Sequence, residues 1–186
     1  MSATPSNMMP LGTIAPDFSL LDTISGKYKS LADLKGEKGT LVMFICNHCP
    51  YVIHIKDQLI AIAKQYAQQG ISTIAISAND VENYPQDAPD KMQAMMREWG
   101  NPFAGYLYDE TQTVAKAFLA ACTPDIYLFD SGLACVYRGR LDGATPKNEV
   151  PLTGEDLRYA LDRLLAAEAN DREQIPSIGC NIKWKE

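Results

Sequence analysis

The chain has 186 residues, 17 basic against 23 acidic side chains (net charge −6) and 46% hydrophobic residues. That length fits one domain, residues 1–186, with a good core, and the composition excludes a disordered or collagen-like chain. A pI near 4.9 argues against nucleic acid as a partner, because phosphate binding needs a basic face. No apolar run exceeds six residues, so no membrane span is expected. The opening MSATPSNMMP has no basic stretch followed by an apolar one, so residues 1–10 read as flexible and the protein as cytoplasmic. Five cysteines cannot all pair. In that compartment they serve as structural thiols, metal ligands or redox groups.

In chain order, residues 40–46 (TLVMFIC) form a continuous apolar run of strand length, apolar on both faces as a central strand is. Pro50 suits a first helical turn, Val52, Ile55, Leu59, Ile62 and Tyr66 recur at helical spacing, and Gly70 is a stop signal. Residues 71–77 (ISTIAIS) read as a second buried strand, residues 78–89 as a loop with two prolines, and residues 90–99 and 111–121 as helices. Residues 125–130 and 133–138 are strands joined by the hairpin signal Ser131-Gly132. Thr153-Gly154-Glu155-Asp156 resembles a capping box opening a helix with Leu157, Leu161, Leu164 and Leu165 on one side. A strand–helix–strand unit implies a right-handed parallel crossover, and the late hairpin adds antiparallel strands. The fold class is therefore α/β, with a mixed central sheet flanked by helices.

Cys46-Asn47-His48-Cys49 lies where the first central strand ends and the first helix begins. Helix N-termini carry partial positive charge and unpaired N–H groups, which stabilise a thiolate. Two intervening residues let the cysteines close a small ring and move between dithiol and disulfide. The same spacing suits half of a zinc site, but no second pair follows and His48 and His54 are the only histidines. Neither a metal nor an organic cofactor is expected.

Residues 44–52 (FICNHCPYV) resemble the active-site segment of the thioredoxin-like superfamily, and most of all the AhpC/TSA-type redoxin group with a CNHCPYV motif. Residues 12–18 (GTIAPDF), Thr123-Pro124, residues 137–142 (YRGRLD) and residues 177–184 (SIGCNIKW) agree with that group. The resemblance implies a thioredoxin-like fold carrying an N-terminal extension, an insertion and a C-terminal tail. It implies Cys46 as attacking thiolate, Cys49 as resolving thiol, and Pro124 as the cis-proline beside them. Cys46 would then be the more exposed thiol, cap the helix and titrate below ~8.5. His48 occupies a position where strongly oxidising members carry histidine; otherwise it is an exposed loop residue. Thioredoxins have an aspartate six residues before the first cysteine; here the position is Thr40, so the buried base has no candidate.

Thiol–disulfide exchange is the leading reading, with protein or low-molecular-weight thiols and disulfides as partners. Peroxide reduction is the rival, but its Pro-x-x-x-Thr-x-x-Cys signature is missing: Gly39 and Met43 precede Cys46, and Val42 and Cys46 precede Cys49. A redox-sensing or metal-binding module is the third. Cys122, near Pro124, is either an extra resolving thiol or a buried residue ending an apolar helix with Val114 and Phe118. Cys135, in step with Leu133 and Tyr137, reads as packing. Cys180 lies in a tail whose Ile178, Cys180, Ile182 and Trp184 alternate with Gly179, Asn181 and Lys183, and is either packed or a second auxiliary thiol. Asn79, Asp80, Tyr84, Thr123 and Arg138 are candidate substrate contacts. The sequence does not specify an oligomeric state.

Overall fold

The computed structural model describes residues 3–186. The elements are β1 (Ala3–Pro5), β2 (Ser19–Asp22), β3 (Lys27–Ser30), α1 (Leu31–Leu34), β4 (Gly39–Phe44), α2 (Pro50–Ala67) and β5 (Ile71–Ser77). They continue with α3 (Pro89–Glu98), β6 (Gly105–Tyr108), α4 (Thr113–Ala117), β7 (Cys122–Thr123), β8 (Asp125–Asp130), β9 (Cys135–Arg138), α5 (Glu155–Leu165) and β10 (Ile178–Asn181). The main sheet has the order β3-β2-β6-β5-β4-β8-β9, and a small one has the order β1-β10-β7. β4, β5 and β6 run parallel, while β8 and β9 add antiparallel strands. This is the mixed sheet expected.

Every residue of β4 is buried. Leu41 and Met43 enter a core with α2, α3 and α5, and Val42 and Phe44 enter a second core with α1, α4, Met9 and Phe18. An unbroken apolar run is thus required, because both faces of the strand are covered. The end of β4 then meets the start of α2.

Several expectations are corrected. Residues 3–10 are not loose: β1 pairs with β10 and Met9 is buried, so the N-terminal segment closes the small sheet. Residues 1 and 2 lie outside the described residues. The helix read over 111–121 covers only Thr113–Ala117, and Cys122 lies on β7 instead of a helix. No capping box forms at α5: Gly154 is the N-cap in the left-handed region, and the Thr153 and Gly154 N–H groups donate to Asp142. A bulge in the β8–β9 ladder sends Cys135 and Tyr137 into opposite cores, so they do not share a face. The alternation of the tail also fails at both ends, where Ile178 and Trp184 are exposed and Gly179 and Lys183 are buried. Gly179 is needed there, since a Cβ would lie 2.0 Å from the Thr123 carbonyl oxygen.

Candidate active site

Cys46 follows the end of β4, and Cys49 is the N-cap of α2 with Pro50 at its first position. Proline there sacrifices no hydrogen bond, because the first N–H groups of a helix have no internal partner. The expected exposed, helix-capping Cys46 is not found. Both cysteines are buried, at 1% and 0% exposure, and Cys49 holds the cap position.

Thr123 joins the two sulfurs. Cys49 Sγ donates to its carbonyl oxygen at 3.0 Å, and Cys46 Sγ lies 3.5 Å from its Oγ1. The Thr123–Pro124 peptide bond is cis, so the segment singled out as the cis-proline site does border the thiols. A cleft of about 250 Å³ opens beside Pro124 and Tyr51, with Arg140, Thr145 and Asn148 on its wall.

The thiols are unequal. The hydrogen bond from Cys46, joined by those from Thr123, Cys180 and the Val52 N–H, outweighs burial and lowers Cys49 below the ordinary thiol range. The same Cys46–Cys49 bond raises Cys46, and burial and the Asp87 charge raise it further. The two thiols therefore titrate as one coupled pair. Burial and the Asp87 charge thus oppose the low-titrating Cys46 that the resemblance implies. The cause is local: donors converge at the helix start, while a carboxylate faces Cys46.

That carboxylate belongs to a residue the sequence did not reveal. Asp87 is fully buried. Its Oδ1 accepts the Asn47 N–H at 2.8 Å, and its Oδ2 accepts from Asn79 Nδ2 at 2.8 Å and from His48 Nδ1 at 2.7 Å. His48 is no free loop residue: its Nδ1 is also 3.9 Å from Cys46 Sγ, and its ring stacks on Tyr84 at 5.8 Å between centroids. One nitrogen faces both acid and thiol, whereas a relay triad uses the two ring nitrogens separately. Tyr106 on β6 completes this side, donating from its hydroxyl to Asn47 Oδ1 at 3.1 Å. The only sequence trace of Asp87 is an acidic residue between two prolines in residues 85–89.

Asn79, Tyr84 and Thr123 are thus brought to the site, and Asp80 and Arg138 are not. Asp80 closes its own turn with Asn83 and Glu82. Arg138 is committed to the Met9 carbonyl and Gln174. Cys180 lies beside Cys49, hydrogen-bonded to it, and is raised to about 11 mainly by burial. Cys122 is turned towards the Pro124 and Ser177 carbonyls and is raised by burial. Cys135 packs in the core on the other side of the sheet. Cys46, His48 and Asp87 place one donor atom each within 4.8 Å of one another, a set with metal-ligand chemistry.

Among the described residues, no helix is long and apolar enough to cross a membrane. Residues 11–136 match the AhpC/TSA family. The chain is similar to an uncharacterized conserved protein from Geobacillus kaustophilus, with 52% identity, 100% of this chain and 97% of that one covered, and a TM-score of 0.97. It is similar to a hypothetical protein from Sinorhizobium meliloti, with 43% identity, 98% of each chain covered and a TM-score of 0.94. In fold it is also similar to a structure described as peroxidoxin BcpB from Mycobacterium tuberculosis, at 18% identity, 87% and 100% coverage and a TM-score of 0.63. No curated protein matches. With a family match over more than half its length, the chain belongs to the AhpC/TSA family, and its mixed sheet has the thioredoxin-like fold.

Proposed function

We propose that this protein catalyses thiol–disulfide exchange, with Cys46 attacking and Cys49 resolving. The observation that carries the reading is the convergence of both sulfurs on Thr123 at a strand–helix junction. The two thiols share one proton. Moving it across the hydrogen bond to Cys49 makes Cys46 the thiolate without releasing a proton to solvent. That thiolate attacks a substrate disulfide, forming a mixed disulfide and expelling a substrate thiolate. The Cys49 thiol gives its proton to that leaving group, and the Cys49 thiolate then attacks Cys46 Sγ. The products are the Cys46–Cys49 disulfide and two reduced substrate sulfurs. A second thiol system would supply or take the electrons. His48 orients Asp87 beside Cys46, and the cleft at Pro124 and Tyr51 is the approach for the substrate.

Peroxide is the second substrate class, favoured by family membership, although the threonine and proline of the peroxidatic signature are absent around Cys46. Insulin reduction against hydrogen peroxide turnover separates the two. The deciding test for the thiol pair is intact mass and free-thiol counting with and without reductant. Wild type loses two thiols reversibly, mapped to Cys46 and Cys49. A wild-type protein that keeps all its thiols after disulfide treatment would overturn the reading.

A further inference from the structure

We propose that Cys46, His48 and Asp87 form a zinc site that is filled in the reduced protein and emptied when Cys46 is oxidised. The release step rests on the thiol–disulfide reading above; the binding step does not.

C-x₂-C spacing suggests a zinc site built on both cysteines, but the structure selects a different set. Cys49 is turned towards the helix start and Thr123, whereas Cys46 shares its other side with an imidazole nitrogen and a carboxylate oxygen. A tetrahedral zinc with bonds of about 2.3 Å to sulfur and about 2.0 Å to nitrogen and oxygen separates neighbouring donors by about 3.3–3.5 Å. The separations here are 3.9 Å for Cys46 Sγ to His48 Nδ1 and 2.7 Å for His48 Nδ1 to Asp87 Oδ2. Shifts of about half an ångström bring these two pairs to that spacing, and the Cys46–Asp87 pair, within 4.8 Å, closes by up to about 1.3 Å.

The support around these donors is what an oriented metal site needs. Asn79 and the Asn47 N–H hold the Asp87 carboxylate, and four lone-pair directions leave room for a metal beside them. Tyr84 fixes the plane of His48. Cys46 and Asp87 are buried at 1% and 0% exposure, so the charges of a thiolate and a carboxylate meet the cation with little competition from water. Loading replaces the His48–Asp87 hydrogen bond with two metal bonds. It releases the Cys46 proton and leaves the His48 proton on Nε2. Three protein donors leave the fourth position open, as in an exchangeable site.

On oxidation, Cys46 and Cys49 give two electrons to an incoming disulfide, which leaves as two thiols. The new S–S bond removes the Cys46 thiolate from the metal, and zinc departs as the aqua ion.

The test is a zinc titration of the reduced full-length protein against a metallochromic chelator. The expected result is one zinc per chain. Cys46→Ser and Asp87→Asn each weaken binding at least tenfold, while Cys49→Ser stays within about threefold of wild type. Because Asp87 is fully buried, His48→Gln serves as a second ligand variant at a position with some exposure (17%), with the same tenfold loss expected. Protein oxidised by a small disulfide binds no zinc and recovers it on reduction. Absence of binding to reduced wild type, or a Cys49→Ser loss equal to that of Cys46→Ser, overturns the site. If zinc binds as stated but oxidation removes no thiols, the exchange reading fails and the metal site stands without its release step.

Discussion

Cys46 and Cys49 stand at one strand–helix junction, yet two distant parts of the chain surround them. Apart from Thr123 Oγ1, the surroundings of Cys46 come from the loop over residues 78–89: Asp87 with its charge, Asn79 holding Asp87, and Tyr84 flanking His48. The neighbours of Cys49 come from the helix start, β7 and the C-terminal strand: the Val52 N–H, Thr123 and Cys180. A carboxylate faces the first thiol and hydrogen-bond donors face the second, so identical side chains acquire opposite tendencies to ionise. The tertiary neighbours, rather than the helix terminus alone, decide which sulfur carries the charge.

The largest effect expected from breaking this arrangement is loss of exchange. Cys46→Ser lowers the rate of insulin reduction by at least about a thousandfold. Cys49→Ser lowers turnover similarly: Cys46 must lose its proton to solvent and attacks more slowly, but no thiol resolves the product, so a mixed disulfide on Cys46 accumulates and is visible by intact mass. Accumulation on Cys49 in Cys46→Ser, with turnover retained, would reverse the two roles.

Next in size is a change confined to the Cys49 side. Gly179→Ala places a methyl 2.0 Å from the Thr123 carbonyl oxygen, against backbone that cannot rotate away. A stability loss of about 3 kcal/mol is expected by urea unfolding, at the upper end for overpacking. Alkylation of Cys49 should change more than that of Cys46, because β10 pairs with β7 through Cys180 and Thr123. An equal change at both thiols would show that the two surroundings are not separable.

A pH dependence of similar size comes from Asp125, beneath the same turn. It accepts from Ser6 Oγ at 2.7 Å and from the Ala121 N–H at 3.1 Å, and burial pushes its carboxyl up to about 6 from 3.8. A raised folded value means that its contribution is fully present below 3.8 and is lost as pH rises through about 6. The loss amounts to about 3 kcal/mol once both states are ionised. Unfolding midpoints measured from pH 3.5 to 7 should show that downward component in wild type and not in Asp125→Asn. Parallel curves would remove Asp125 from the account.

The parts of this architecture that were legible in the sequence are those that continuous local patterns specify. Residues 40–46 had to be buried on two faces, and Pro50 to Gly70 carried both ends of a helix. The four residues of β6, Gly-Tyr-Leu-Tyr, are too short to show a period, and they become a strand because β5 and β2 flank them. The hairpin β2–β3 was missed for a related reason: it is an edge, with Tyr28 71% exposed, so it lacks an apolar alternation. The thiol motif was legible because it is contiguous. Asp87 was not, because its meaning depends on a loop folding back to Asn47, 40 residues away in the chain.

The smallest expected effect is also the most selective test of the inequality. Asp87→Asn removes a charge within 4.8 Å of the Cys46 sulfur. At an effective dielectric near 20 that charge is worth about 3.5 kcal/mol, and in bulk water below about 1 kcal/mol. A tenfold gain in Cys46 thiolate needs only about 1.4 kcal/mol, so it lies between these limits. The amide keeps an oxygen for the Asn47 N–H, so the turn has a reason to persist. In metal-free reduced protein at pH 7, iodoacetamide should modify Cys46 about tenfold faster than in wild type. Cys49 should change less than twofold, because its stabilising donors come from Cys46, Thr123 and Cys180 rather than from the insertion. Acceleration at both thiols would mean that Asp87 acts on the shared proton as a whole; no acceleration at either would leave burial and the Cys46–Cys49 hydrogen bond as the whole cause of the difference.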